Sequence, residues 1–206
     1  MLSVKSAVFG GLQNNCYLIT DKDTNKSALV DCTEFSDRML DFIGNADLEY
    51  ILLTHGHFDH IGGVSEISER FNAKVVISSI DAPMLSSSKL SLAAFCGAVH
   101  NNSSADITVE DNDVIELGNS EIYVISTPGH TSGSVCYMCD DNLFTGDTMF
   151  FCSCGRTDFP TGSPVDMQKS LNKLASLNGD YKIFAGHDRQ STLDFERKNN
   201  PYISRK

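Results

Sequence analysis

The feature that most constrains this chain is a cluster of three histidines and one aspartate within six residues. The cluster follows directly after residues 50–54, an apolar run that predicts a buried strand. Its members are His55, His57, Asp59 and His60. Imidazole nitrogens and carboxylate oxygens are the ligands that Zn²⁺ and similar transition-metal ions accept. Because a loop leaving a strand can turn close neighbours towards one point, the sequence predicts a metal site at a strand end.

Three more candidate ligands lie far from this cluster in the sequence. His130, Asp147 and His187 each follow a predicted strand and come directly after a glycine, where the backbone can approach a metal closely. One ion would not use all four residues of the first cluster comfortably, whereas two ions could share them with these distant residues. The whole set takes five of the six histidines and leaves out His100, which we expect at the surface among asparagines and serines.

Length and charge exclude several function classes. At 206 residues, the chain fits one domain over residues 1–206 better than a multi-domain machine. Its 16 lysines and arginines against 27 aspartates and glutamates give a net charge of −11, which repels phosphate backbones and anionic bilayers. We therefore expect a small-molecule partner, and neither nucleic acid nor a membrane.

The apolar stretches and the cysteines indicate a cytoplasmic protein. The longest apolar stretch, residues 92–99, is far too short to span a bilayer, and the first residues lack a secretory pattern. The seven cysteines show no disulfide framework, so we expect reduced thiols. Cys136 and Cys139 form a C-x-x-C pattern, but on a strand residues three apart point to opposite faces. We therefore assign this pair to packing, and the oligomeric state stays open.

Strand-like and helix-like segments alternate along the chain. Their order, strands then α/β units in each half, predicts an α/β fold of two β-sheets packed face to face with helices outside. Apolar spacing predicts one helix over residues 60–71, and Ser163 followed by Pro164 marks the start of another. Residues 86–100 could be helical or mobile.

The ordered set of ligand candidates resembles the metallo-β-lactamase superfamily, and the match runs from Gly11 to Tyr202. This resemblance implies an αβ/βα sandwich of two packed mixed β-sheets, with helices on the outer faces and two metals at the sheet edges. It also implies the ligands. One metal would be held by His55, His57 and His130, the other by Asp59, His60 and His187, and Asp147 would bridge them.

Within the superfamily, residues 155–160 and residues 186–201 look like the small, single-domain glyoxalase II-like hydrolases. The resemblance implies a metal-dependent hydrolase that uses a metal-bridging hydroxide on a hydroxyacyl thioester. Zn²⁺, two per chain, is the default cofactor, and Fe or Mn are possible. Asp59 could orient the nucleophile besides binding its metal.

Substrate recognition should differ from that of glyoxalase II. That family carries a C-terminal helical domain whose basic residues hold glutathione, and we expect none here because the chain ends 19 residues after His187. Arg156 falls where glyoxalase II has a glutathione-contacting lysine. It could bind substrate, or it could fix its own loop through a carboxylate such as Asp158.

Two other functions remain open. Residues 154–159 also look like the persulfide dioxygenases of the superfamily, which use one iron bound by two histidines and one aspartate. A non-catalytic metal-binding protein is the second alternative, although closed structural zinc sites are usually rich in cysteine. Class B β-lactamases are disfavoured because they place a cysteine ligand where this chain has Asp147.

Overall fold

The first sheet is built from the first half of the chain. The computed structural model describes residues 1–203, and its first six strands pair in chain order. They are Leu2–Phe9 (β1), Asn14–Asp21 (β2), Lys26–Val30 (β3), Asp47–Leu52 (β4), Lys74–Ser78 (β5) and Ile107–Val109 (β6). β1, β2 and β3 pair antiparallel, whereas β3 to β6 pair parallel, so the sheet is mixed.

The second sheet comes from the other half and also has six strands, in the order β14-β13-β10-β9-β8-β7. They are Val114–Leu117 (β7), Ser120–Ser126 (β8), Val135–Cys139 (β9), Asn142–Gly146 (β10), Lys182–Ala185 (β13) and Ser191–Thr192 (β14). Met149–Phe150 (β11) and Ser153–Cys154 (β12) form a separate short hairpin. Only β10 and β13 pair parallel, so this sheet is mixed too.

The helices lie outside the two sheets. They are Asp37–Ile43 (α1), Phe58–Ile61 (α2), Val64–Phe71 (α3), Ala93–Cys96 (α4), Pro164–Ala175 (α5) and Leu193–Asn199 (α6), with a 3₁₀ turn at Ala82–Ser86. Ser36, Ser163 and Thr192 each cap a helix by accepting a hydrogen bond from the backbone N–H three residues on. The helix start predicted at Ser163 is therefore confirmed.

Three apolar layers hold these elements together. The middle layer lies between the sheets and includes Val30 and Leu52 from one and Tyr137 and Phe144 from the other. A second layer joins the first sheet to α1 and α3, and a third joins the second sheet to α5 and α6. This order of layers confirms the predicted αβ/βα sandwich.

The two cysteines of the C-x-x-C pattern fall in different layers. Cys136 packs in the layer under α5, whereas Cys139 packs between the sheets. Both side chains are buried and both thiols are free. The prediction that this pair serves packing is confirmed, since the strand points its members to opposite faces.

The single helix predicted over residues 60–71 is wrong. The segment forms α2 and α3, which are separated by Gly62 and Gly63. A Cβ atom at Gly62 would lie 2.3 Å from the carbonyl oxygen of Thr33, and one at Gly63 would lie 2.3 Å from the carbonyl carbon of Glu34. The chain breaks here because residues 33–34 lie directly against both glycines.

Residues 86–100 contain only one short helix, α4, among turns. The segment exposes two large apolar side chains: Phe95 is 70% and Val99 is 80% accessible. His100 at its end is half-buried, and its Nδ1 lies 3.1 Å from the hydroxyl oxygen of Ser91. The expectation of a surface histidine at this position is therefore corrected.

Within residues 1–203, no helix has both the length and the apolar character that crossing a bilayer would require.

Candidate metal centre

Strand ends of both sheets deliver the candidate ligands to one edge of the sandwich. The His55–His60 cluster begins three residues after β4, and His130 follows β8 in the other sheet. Asp147 directly follows β10, and His187 comes two residues after β13. Since β10 and β13 are parallel neighbours, their carboxyl ends meet, and a Cβ atom at Gly186 would lie 2.4 Å from Oδ1 of Asp147. The glycine allows this close approach.

Three histidines form what we call the imidazole half of the centre. The ring nitrogens of His55, His57 and His130 lie within 4.8 Å of one another, and all three side chains are buried. Burial and the neighbouring His130 lower the pKa of His57 to about 3. Burial, together with the neighbouring imidazoles, also holds the pKa of His55 well below its usual value. These two rings are therefore neutral at pH 7, which is the form that binds a metal.

Asp59, His60 and His187 form the carboxylate half, and their ligand atoms also lie within 4.8 Å of one another. Burial would lower the pKa of His60, but Asp31, Asp59 and Asp147 together raise it to about 10. Burial would raise the pKa of Asp59, but the His60 charge and hydrogen bonds from His187 and Asn14 hold it well below its usual range. Without a metal, this half is thus an ion-pair network.

Asp147 lies between the two halves. Its Oδ1 is 3.4 Å from Nε2 of His60, and its Oδ2 is 3.4 Å from Nε2 of His130 and 3.6 Å from Nε2 of His187. A carboxylate oxygen of Asp147 also groups with ring nitrogens of His55 and His60 within 4.8 Å. One carboxylate therefore contacts ligands of both halves.

Two buried polar atoms of the candidate ligands lack hydrogen-bond partners. These atoms are Nε2 of His55 and Oδ1 of Asp147. An unpaired buried polar atom costs on the order of 1–3 kcal/mol, so most proteins satisfy such atoms. A divalent cation among these donors would satisfy both, and the His and Asp donor set suits such an ion. The residues present therefore fit a metal.

The opposite ring nitrogens of three histidines are held by oxygen atoms. Nδ1–H of His60 donates to Oδ2 of Asp31 at 2.8 Å, and that of His130 donates to the carbonyl of Arg156 at 2.7 Å. Nδ1–H of His187 donates to the carbonyl of Leu12 at 3.1 Å. These bonds direct the Nε2 atoms of the three rings at the centre, as outer partners of metal-binding histidines do.

Sequence reasoning missed two polar residues that support the carboxylate half. Asp31, at the end of β3, holds His60 and also accepts from the backbone N–H of Thr54 at 2.9 Å. Asn14 is fully buried, and its Nδ2 donates to Oδ2 of Asp59 at 2.9 Å. Neither residue belongs to a recognisable local motif, because each reaches the centre through strand pairing.

A cleft of about 500 Å³ opens onto the centre. Its apolar walls come from five side chains: Leu12, Phe58, Leu92, Phe150 and Phe159. Arg156 also lines it, but both its Nε and Nη2 donate to the Asp158 carboxylate at 2.7 Å. The guanidinium lies 4.0 Å above the Phe159 ring, so in this structure Arg156 contacts its own loop, and its part in substrate binding stays a prediction.

A two-sheet αβ/βα sandwich with a histidine and aspartate cluster at one edge defines a class of metal-binding proteins. Comparison with known families agrees, because the model of the metallo-beta-lactamase superfamily matches residues 9–187. The chain belongs to this superfamily, whose members are mostly metal-dependent hydrolases.

Individual relatives span several activities. The chain is 30% identical to hydroxyacylglutathione hydrolase GloC of Haemophilus influenzae over 201 residues, 94% of each chain. It is similar to the BLEG-1 B3 metallo-beta-lactamase, with a TM-score of 0.92, 27% identity and coverage of 98% and 100% of the two chains. ETHE1 from Myxococcus xanthus gives a TM-score of 0.80 and 28% identity, covering 97% of this chain and 83% of that one.

Proposed function

We propose that this protein is a binuclear metal-dependent hydrolase that cleaves a hydroxyacyl thioester, as glyoxalase II does. The observation that carries this proposal is the position of Asp147 between two adjoining sets of ligand atoms. The likeness to GloC over nearly the whole of both chains supports the thioester as substrate.

The two halves of the centre would each hold one cation. His55, His57 and His130 would hold the first, Asp59, His60 and His187 the second, and Asp147 would contact both. Zn²⁺ suits this donor set, and iron or manganese could replace it. When bound, such a pair supplies a water of lowered pKa and polarises the substrate carbonyl.

The protein side chains position the reacting groups. Asp59 is ionised at neutral pH, and Asn14 fixes its orientation through the 2.9 Å hydrogen bond to Oδ2. Its carboxylate would therefore accept a hydrogen bond from the attacking water and orient it. The phenylalanines of the cleft wall keep bulk water away from the substrate carbonyl.

The residues that line the cleft indicate which kind of leaving group the site can release. Among its lining residues, all of them described by the structure, there is neither lysine nor tyrosine to act as a general acid. A thiolate leaves with little protonation because a thiol has a pKa of about 8.5, whereas an amine or alkoxide leaving group needs a proton. The cleft is therefore better suited to a thioester than to an amide.

The direct test is hydrolysis of S-lactoyl thioesters by the zinc-loaded protein, followed through the ultraviolet absorbance of the thioester bond. We expect saturable turnover that Asp147→Asn abolishes and that Cys154→Ala leaves within about twofold, since Cys154 is half-buried and is not among the cleft-lining residues. A β-lactam serves as the comparison substrate, and faster turnover of the β-lactam would contradict the proposal.

The similarity to ETHE1 supports one alternative to the hydrolase function, that of a mononuclear iron dioxygenase acting on a persulfide. Such an enzyme would contain one iron per chain and consume oxygen with glutathione persulfide. We expect no such consumption from the zinc-loaded or the iron-loaded protein. If oxygen uptake is faster than thioester cleavage, the hydrolase function is wrong and the dioxygenase function is favoured.

A further inference from the structure

A second cavity of about 670 Å³ adjoins the cleft of the metal centre. The two spaces share four lining residues: Leu12, Phe58, Asp59 and Cys96. We call this cavity the side chamber. Because the two spaces share these walls, the side chamber lies directly beside the cleft, within reach of a long substrate bound at the centre.

The mouth of the side chamber is apolar and solvent-accessible. Phe35 is 48%, Leu12 57% and Val99 80% accessible, and all three line the chamber. They come from three separate segments: the β1–β2 turn, the chain before α1, and the chain after α4. Exposed apolar side chains that converge from separate segments on one cavity indicate a surface for an apolar part of a ligand.

The charged side chains of the side chamber are all acidic. They are Glu34, Asp59 and Glu66. The backbone N–H of Gly10 and the hydroxyl of Ser36 donate to Glu34, so neither bond brings a positive charge. Oε2 of Glu66 is buried without a hydrogen-bond partner. No lysine or arginine lines the chamber, all of whose lining residues are described by the structure.

Among its lining residues within 1–203, the adjoining cleft adds no lysine or arginine that lacks a carboxylate partner. Arg156 is its one lysine or arginine side chain, and its guanidinium already binds the Asp158 carboxylate with two hydrogen bonds. Glutathione carries two carboxylates and one ammonium group. A ligand of this kind would therefore meet Glu34 and Glu66 in a chamber whose described lining residues offer its carboxylates no lysine or arginine side chain.

We propose that the side chamber receives the thiol part of the substrate and selects a neutral or cationic, partly apolar thiol over an anionic one such as glutathione. This inference rests on the thioesterase function proposed above and narrows its substrate class. The apolar mouth supplies contact area, and the carboxylates of Glu34 and Glu66 discriminate by charge.

The test uses three thioesters that share the lactoyl group and differ in the charge of the thiol. They are S-lactoylthiocholine (cationic), S-lactoyl-N-acetylcysteamine (neutral) and S-lactoylglutathione (anionic). We expect kcat/KM of the zinc-loaded protein to be at least about tenfold higher for the cationic ester than for the glutathione ester. The ratio should shrink as salt rises, because salt screens charges near the surface.

Substitutions test whether Glu34 and Glu66 cause this preference for a cationic thiol. The double variant Glu34→Gln plus Glu66→Gln should bring the cationic-to-anionic ratio of kcat/KM close to one. Glu69→Gln is the matched control, because Glu69 is exposed on the same helix as Glu66 and does not line the chamber. It should keep the ratio of the unmutated protein.

A substitution that raises activity is a further test, because misfolding could lower kcat/KM but could not raise it. Val99→Lys would place a cation at the mouth and should raise kcat/KM for S-lactoylglutathione several-fold. Val114→Lys, at an exposed valine on β7 in the second sheet, should not. If the glutathione ester is turned over best, or the ratio is unchanged in the double variant, the inference is overturned and the thioesterase function stands. If none of the three esters is cleaved, the proposed function falls, and this inference falls with it.

Discussion

The imidazole half and the carboxylate half of the centre reach the same edge of the sandwich but rest on different partners. In the imidazole half, His57 Nδ1 and His130 Nε2 are 2.9 Å apart, and the rings of His55 and His57 are held neutral by burial. In the carboxylate half, His60 is fully buried and bonded to Asp31. One half thus contains two rings held neutral by burial, and the other is a charged network.

This difference determines what a metal ion must displace. In the imidazole half, His55 and His57 are already neutral at pH 7, so a cation binds them without competing with their protons. In the carboxylate half, the pKa of His60 is raised to about 10 and that of His187 is also raised. A cation there must expel protons, although the carboxylates compensate with negative charge. We therefore expect the two halves to differ in pH dependence and in their sensitivity to single substitutions.

The largest effect should come from Asp147→Asn, because Asp147 belongs to both halves. The substitution removes the charge that lies 3.4 Å from both His60 and His130. We expect kcat to fall by more than the roughly hundredfold that losing an outer partner of a metal ligand costs. Metal content per chain, measured by elemental analysis, should fall in both halves. Retention of full activity would show that Asp147 does not join them.

Lowering the pH should weaken metal binding more in the carboxylate half than in the imidazole half. We expect this difference in affinity to be about as large as the effect of Asp147→Asn on kcat. The raised pKa of His60 means that a proton competes with metal at any pH below about 10, whereas the pKa of His57, about 3, removes such competition down to acid pH. Affinity of the carboxylate half should fall about tenfold per pH unit for each proton displaced. In zinc titrations, one equivalent should weaken between pH 7.5 and 5.5 while the other is retained. Equal weakening of both equivalents would remove the distinction between the halves.

Asp31→Asn should weaken metal binding mainly in the carboxylate half. The variant removes the charge behind Nδ1 of His60 and should lower the affinity of one zinc equivalent by about 10- to 100-fold. The second equivalent should weaken less, since among residues 1–203 Asp31 reaches the imidazole half only through the Thr54 hydroxyl, whose oxygen lies 3.2 Å from Nδ1 of His55. Calorimetric titration separates the two values, and an equal loss at both would contradict this assignment.

Asp81→Asn provides the matched change next to the imidazole half, with the smallest effect. Asp81 is fully buried and accepts from the backbone N–H of Gly56 at 3.2 Å and the hydroxyl of Thr131 at 2.7 Å. It thus joins the two loops that carry His57 and His130 without touching either ring. Burial raises the pKa of Asp81, so a neutral amide is well tolerated there. We expect less than about a tenfold loss of affinity, at the imidazole half.

The sequence predicted the sandwich and the members of the cluster because their signals are local. Each of His130, Asp147 and His187 follows its own strand, and the alternation of strands and helices already favoured two sheets. The structure brings these residues together with the first cluster, as the spacing predicted. That these residues bind metal stays a prediction until the metal content of the protein is measured.

The supporting residues could not be predicted because they depend on strand register. Asp31 reaches Thr54 and His60 since β3 and β4 pair parallel, with Val30 opposite Leu52. Nothing in its local sequence separates Asp31 from Asp21, which instead binds the backbone of its own hairpin and Ser120. The break at Gly62 and Gly63 likewise depends on residues 33–34, which lie far away in the sequence.

The central claim is that both halves bind metal and that hydrolysis needs both. The most direct measurement is zinc titration of chelator-stripped protein, with bound zinc and S-lactoyl thioester hydrolysis followed in the same samples. We predict two zinc ions per chain at saturation, with most of the activity appearing as the second ion binds. Saturation at one ion per chain with full hydrolytic activity would contradict the account.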